Sequence, residues 1–112
     1  VNQSLHQFKA AFFKALAHPT RIDILEQFRC GEQCVHDLQT TLGIDRSTVS
    51  QQLALLRSRN IVESRKEGTS VYYQVRDPLI FQLLDVAKEI FNNQLTSTQE
   101  LLQQLAQNVA AL

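Results

Sequence analysis

The sequence predicts a mostly α-helical single domain carrying one two-stranded β-ribbon, with elements in the order α-α-α-α-β-β-α(-α). Three observations carry that prediction. Apolar residues recur at helical spacing through most of the chain. Leu42-Gly43-Ile44-Asp45 joins two short amphipathic stretches, its glycine suited to ending one helix and its aspartate to capping the next. From Val71 to Arg76 the period changes to two, which is strand behaviour.

Taken in order, Leu5, Phe8, Phe12 and Leu16 give an amphipathic first helix. His18-Pro19 interrupts it and starts a second with Ile22, Leu25 and Phe28, since proline is tolerated at a first helical position. Gly31 is expected to end that helix as a left-handed cap. A third helix runs from about Cys34 to Leu42, closed by Gly43. Asp45 caps a fourth, which turns Val49, Leu53 and Leu56 inward and Arg46, Ser47, Ser50, Gln51 and Arg57 outward. Over about residues 34–59 these two helices form a helix-turn-helix.

Ile61 to Arg65 pairs with the alternating strand through a turn containing Glu67-Gly68, placing a ribbon at about 61–76. Asp77-Pro78 starts the last helix, with Ile80, Leu83, Leu84, Ala87, Ile90 and Phe91. Ser97-Thr98-Gln99-Glu100 has the pattern of a capping box, which predicts a bend near Thr96 and helical structure over about 78–112 in two segments. A helix-turn-helix followed by a ribbon is a winged helix.

A length of 112 residues with 44% apolar content fits one small globular domain. No apolar run approaches a membrane span, and nothing resembles a secretory signal. Two cysteines are too few for a disulfide scaffold and suit a reducing cytoplasm. The net charge is zero, yet residues 43–76 hold six basic groups against three acidic, while residues 77–112 hold Lys88 against four acids. A polyanion would be met in the middle third. No acid-His-nucleophile set, phosphate loop or dinucleotide fingerprint is present, which argues against an enzyme.

Phe13-Lys14-Ala15-Leu16-Ala17-His18-Pro19-Thr20-Arg21-Ile22-Asp23-Ile24-Leu25 resembles the opening signature of the ArsR/SmtB transcriptional regulators. Asp45 to Arg57 is similar to that family's recognition helix, and Asn60 to Gly68 through Tyr72-Tyr73 resembles its wing. The resemblance spans roughly residues 8 to 91 in the right order. It implies a homodimeric repressor that dimerises through its first and last helices and leaves operator DNA on sensing a metal ion or another chemical signal. It also places His18 at a structural helix start. Gln52 stands where the family often has His.

The side chains agree with DNA binding independently. Ser47, Thr48, Ser50 and Gln51 can donate and accept toward base edges in the major groove, with Gln52 beside them. Arg46, Arg57 and Arg59 are placed for phosphates, as are Arg65 and Lys66 on the wing.

One family metal site lies on the last helices, but the positions following Asp77 are Leu79, Ile90 and Asn93, so that set is missing. A second lies at the start of the third helix, where metal sensors show Cys-Val-Cys-Asp-Leu. Here the chain has Cys34-Val35-His36-Asp37-Leu38, and Cys30 stands four residues earlier. Two thiolates and an imidazole from Cys30, Cys34 and His36 suit Zn(II), Cd(II) or Cu(I). A further ligand would come from a partner subunit, with His6 as one source, or from residues preceding Val1, since the sequence starts without Met. Cys34 also sits where a helix N-terminus favours the thiolate, the oxidisable form. Three other readings stay open: a thiol redox switch using Cys30 and Cys34, cysteines that serve only as small buried packing residues, and a winged helix serving protein interaction alone.

Overall fold

The computed structural model describes residues 2–110; Val1, with whatever precedes it, and residues 111–112 at the end of the expected last helix lie outside the described residues. The elements are α1 (Asn2–Leu16), α2 (Pro19–Gln27), a 3-10 turn (Phe28–Cys30), α3 (Val35–Leu42), α4 (Arg46–Ser58), β1 (Val62–Glu67), β2 (Ser70–Val75) and α5 (Leu79–Ala110). The chain divides into two compact units, one ending at Pro78 and one starting at Leu79.

In the first unit, His18 begins α2 as its cap: its Nδ1 accepts the Thr20 N–H at 3.1 Å, and Pro19 occupies the first helical position, where no N–H is needed. Gly31 departs from the expected left-handed cap. Helix α2 ends earlier, at Gln27, and after the 3-10 turn Gly31 takes φ 113 and ψ −166. That conformation is open to glycine alone and sends the chain onward extended instead of folding it back. The extension lets Gln33 join the ribbon as a one-residue bridge to Tyr73, with N–H to O distances of 3.0 and 2.8 Å in the two directions. Gly43 does take the left-handed conformation (φ 67, ψ 32), and its N–H closes α3 on Gln39 O at 2.8 Å.

The core forms where α2, α3 and α4 meet. Ile24, Leu25, Leu38, Val49, Leu53 and Leu56 are wholly inaccessible, and Phe28, Ile61 and Val62 nearly so. Burying each such side chain contributes about 1.5–3 kcal/mol, so this cluster holds the helix-turn-helix in place. The inward positions Val49, Leu53 and Leu56 are those the spacing predicts.

Helix α4 ends in a Schellman closure. Asn60 adopts φ 60, a conformation Asn tolerates better than other side chains do. Its N–H then reaches Arg57 O and the Ile61 N–H reaches Leu56 O, both at 3.0 Å. Leu56 and Ile61 are both buried, as that motif favours. Strand β1 follows at once and pairs antiparallel with β2 from Val62–Val75 to Glu67–Ser70, around a two-residue turn at Gly68-Thr69 with Gly68 at φ 63. Strand β2 is thus flanked by β1 on one edge and Gln33 on the other.

The second unit is α5, 32 residues and about 48 Å long. The bend expected near Thr96 is absent. No glycine or proline interrupts residues 79–110, and the hydroxyls of Thr96 and Thr98 turn back onto Asn92 O and Gln94 O at 3.0 Å each. The hydroxyl-rich stretch therefore bonds along one helix instead of capping a new one. Phe91, Leu95, Leu102, Leu105 and Val109 are exposed along it. Among the described residues no helix is long and apolar enough to cross a membrane.

Candidate nucleic-acid interface and cysteine segment

Helix α4 is anchored at its start by Asp45. One carboxylate oxygen accepts the Thr48 N–H at 3.1 Å and the other the Thr48 hydroxyl at 2.6 Å. These bonds, the hydroxyl's first, hold the Asp45 carboxyl below the usual carboxylate range. Thr48 is half-buried and committed to this cap. Arg46, Ser47, Ser50, Gln51 and Arg57 are exposed, matching the outward face that the spacing predicts.

Gln52 has a partner that the sequence did not reveal. Its Oε1 accepts from Arg21 Nε at 2.8 Å, while Arg21 Nη1 donates to Ala15 O at 3.1 Å. Arg21 thus ties α4 to the end of α1, leaving the Gln52 amide N–H2 to donate elsewhere. Arg59 lies on this flank, lining a cleft with Lys14 and Arg21, apart from the row of Arg46, Ser50 and Arg57.

On the ribbon, Lys66 is exposed, whereas Arg65 is held on three sides. Its Nε donates to Glu32 at 2.6 Å, its Nη1 to Glu67 at 2.8 Å, and the guanidinium lies 4.8 Å from the Tyr72 ring centroid. Glu32 and then Glu67 push the Arg65 pKa further above its ordinary value. Glu32 stands between the two cysteines, so the segment 30–34 meets the ribbon twice, through Glu32–Arg65 and Gln33–Tyr73.

The cysteine segment itself is open. Both cysteines are free thiols, Cys30 exposed and Cys34 half-buried at the cap of α3, and His36 is exposed one residue into that helix. Asp37 accepts the Cys34 N–H at 3.3 Å. Its carboxyl is held below the usual range by the Cys34 side chain first and the Cys34 backbone second. Among the described residues no three His, Cys, Asp or Glu side chains gather as a metal-binding group, so one chain does not bring Cys30, Cys34 and His36 together. Cys34 and His36 do line, with Arg46, Ser50 and Tyr73, a cleft of about 350 Å³ between α3, α4 and β2. The cysteine segment and the exposed face of α4 therefore border one depression.

Residues 18–64, which hold the helix-turn-helix and the start of the ribbon, match the bacterial regulatory protein, arsR family. A relative in Mycobacterium tuberculosis, the HTH-type transcriptional regulator Rv0081, is 36% identical over 105 residues, 93% of this chain and 92% of the relative. The chain belongs to the arsR family. The crystal structure of Rv0081 superimposes with a TM-score of 0.75 at 38% identity, covering 83% of this chain and 94% of that one. The solution structure of the homodimeric winged helix-turn-helix DNA-binding domain of Mb0332 from Mycobacterium bovis gives 0.75 at 31% identity, covering 84% and 87%. The transcriptional repressor SmtB homolog of Synechocystis is 39% identical over 77 residues, 69% of this chain and 58% of that protein. This family member is accordingly a winged-helix transcriptional regulator and not an enzyme.

Proposed function

We propose that the chain is a homodimeric repressor that reads operator DNA with α4 and lays its ribbon along the backbone, and that a chemical signal at the cysteine segment releases it. The observation that carries the reading is the exposed row of Arg46, Ser47, Ser50, Gln51 and Arg57 on a rigidly capped helix. Ser47, Ser50 and Gln51 address base edges, with the free amide of Gln52 beside them, while Arg46, Arg57 and Lys66 meet phosphates. Thr48 and Arg65 contribute through the groups they hold: one fixes the start of the helix, the other the ribbon. The homodimeric state of Mb0332 and the exposed apolar residues of α1 and α5 support dimerisation. Such a regulator works beside its operator, in the cytoplasm.

Binding is tested by selecting an operator from random DNA and measuring a gel shift on the palindrome obtained. Specific binding that weakens steeply with salt is expected. Failure to select any site would leave the fold as a protein-interaction module.

The signal acts through Cys34. As a metal sensor, Cys30, Cys34 and His36 would bind Zn(II), Cd(II) or Cu(I) with a donor from the partner subunit. As a redox sensor, Cys30 and Cys34 would meet a hydroperoxide, two thiols and one peroxide giving a disulfide, an alcohol and water. The two free thiols in one short segment favour keeping the second reading beside the first. Operator release by one of these metals or by peroxide, abolished by Cys34→Ser, is the expected result. Unchanged induction in Cys34→Ser by every metal and peroxide tried would rule out the cysteine segment as the sensor.

A further inference from the structure

A second cleft, of about 470 Å³, opens between the end of α1, the start of α2 and the C-terminal half of α4. Three cations line it, Lys14, Arg21 and Arg59, and the other lining side chains are alanines and Leu55. No carboxylate lines it. Among the described residues neither Lys14 nor Arg59 has an ion-pair partner. Three like charges around one depression repel each other, and an anion placed among them removes that cost. The alanines leave the room, and Leu55 supplies an apolar wall.

Arg21 gives the cleft a fixed donor. Its guanidinium is held by Gln52 at 2.8 Å and Ala15 O at 3.1 Å, which spends two of its N–H groups and orients the rest. The cleft also lies apart from the row of Arg46, Ser50 and Arg57 assigned to DNA. At helical spacing, residues 52, 55 and 59 share one flank of α4, while 46, 50 and 57 share another. Ser50 and Arg57 border a separate depression with Tyr73 of the ribbon.

We propose that this cleft binds a compact organic polyanion, a di- or tricarboxylate or a phosphorylated compound, and that the recognition helix feels its occupancy through Arg21 and Gln52. An anion that accepts from the remaining Arg21 N–H groups draws the guanidinium toward itself, so it shifts the tie to Gln52 that holds α4 against the end of α1. The link to DNA rests on the reading of α4 given above; the anion site does not.

Calorimetry of the whole protein without DNA tests the site, with citrate, inorganic phosphate and glycerol 3-phosphate as probes. Saturable binding of at least one probe at one site per chain is expected, weakened about tenfold or more by Lys14→Gln and by Arg59→Gln. Lys66→Gln on the ribbon should leave it unchanged, and the probe that binds identifies carboxylate or phosphate as the preferred head. Absence of saturable heat with every probe would overturn the proposal, as would equal weakening by Lys66→Gln, which marks diffuse attraction. A shift of Lys14→Gln from dimer to monomer would also overturn it, because a second copy would then fill the cleft. Operator affinity with and without the bound probe tests the coupling; a change of about fivefold or more is expected, and an unchanged affinity in wild type removes the coupling. If no operator is bound under any condition the reading of α4 fails, while the calorimetry still decides the site.

Discussion

Replacing Gln52 by alanine separates a helix that is held from a helix that reads. The Gln52 side chain is half-buried and its Oε1 accepts a 2.8 Å bond from the Arg21 guanidinium. Hydrogen bonds to charged groups contribute about 1.5–3 kcal/mol net, and the partial exposure of this one puts it at the lower end. A loss of about 1.5 kcal/mol corresponds to a fall in Tm of about 6 °C for a domain of this size. Circular dichroism melts measure it, at one fixed protein concentration because dimerisation makes Tm concentration-dependent. Gln52→Glu keeps an acceptor for Arg21 and should recover most of the loss. Gln51→Ala, on an exposed residue one position earlier, should leave Tm within about 1 °C and weaken operator binding instead. The reasoning fails if Gln52→Ala melts like wild type while its base preference changes, since Gln52 would then be a reader with no structural duty.

Two further outcomes follow from contacts on the surface. Glu32→Gln removes the first of the carboxylates that occupy Arg65, so operator affinity should rise several-fold and the slope of log K against log salt should steepen by up to about 0.9; the change should disappear in an Arg65→Gln background. Asp45 has a folded pKa below its unfolded value, so it stabilises the fold fully above the unfolded carboxylate pKa and loses that contribution as pH falls through the folded value. Asp45→Asn keeps a capping oxygen but cannot titrate. Urea midpoints of the two proteins should therefore differ most near neutrality and converge in acid; a gap that stays constant with pH would show that the Asp45 charge has no part in it.

Much of the fold was legible because its signals are local and repeated. Val49, Leu53 and Leu56 recur at helical spacing, Asp45 caps in advance of them, and Gly43 marks the stop between two helices. The expected bend at Thr96 fails for a local reason too. A hydroxyl next to a Glu three residues on reads as a cap, but the same hydroxyls also bond backward within an uninterrupted helix, and sequence alone does not choose between them. Contacts across the chain left no such trace. A one-residue bridge from Gln33 to Tyr73 has no periodicity, and a sequence separation of 33 hides the pairing of Glu32 with Arg65. Arg21 belongs to a signature that the resemblance covers, yet nothing local names Gln52 as its partner. At the cysteine segment the sequence supplied the donors but not their arrangement, which one chain leaves dispersed.

The end of α4 carries a consequence for the duplex itself. Three residues, Arg59, Asn60 and Ile61, join the recognition helix to β1, and the Ile61 peptide is bonded on both sides, its N–H to Leu56 and its carbonyl to the Arg76 N–H at 2.9 Å. That joint has no slack. On the proposed reading of α4 and the ribbon, the two act as the jaws of a caliper set to one width, and a duplex of another groove width must be deformed to fit them. The energy of deformation then falls on the DNA and varies with its sequence. Operators should accordingly favour easily deformed steps at positions that no side chain touches.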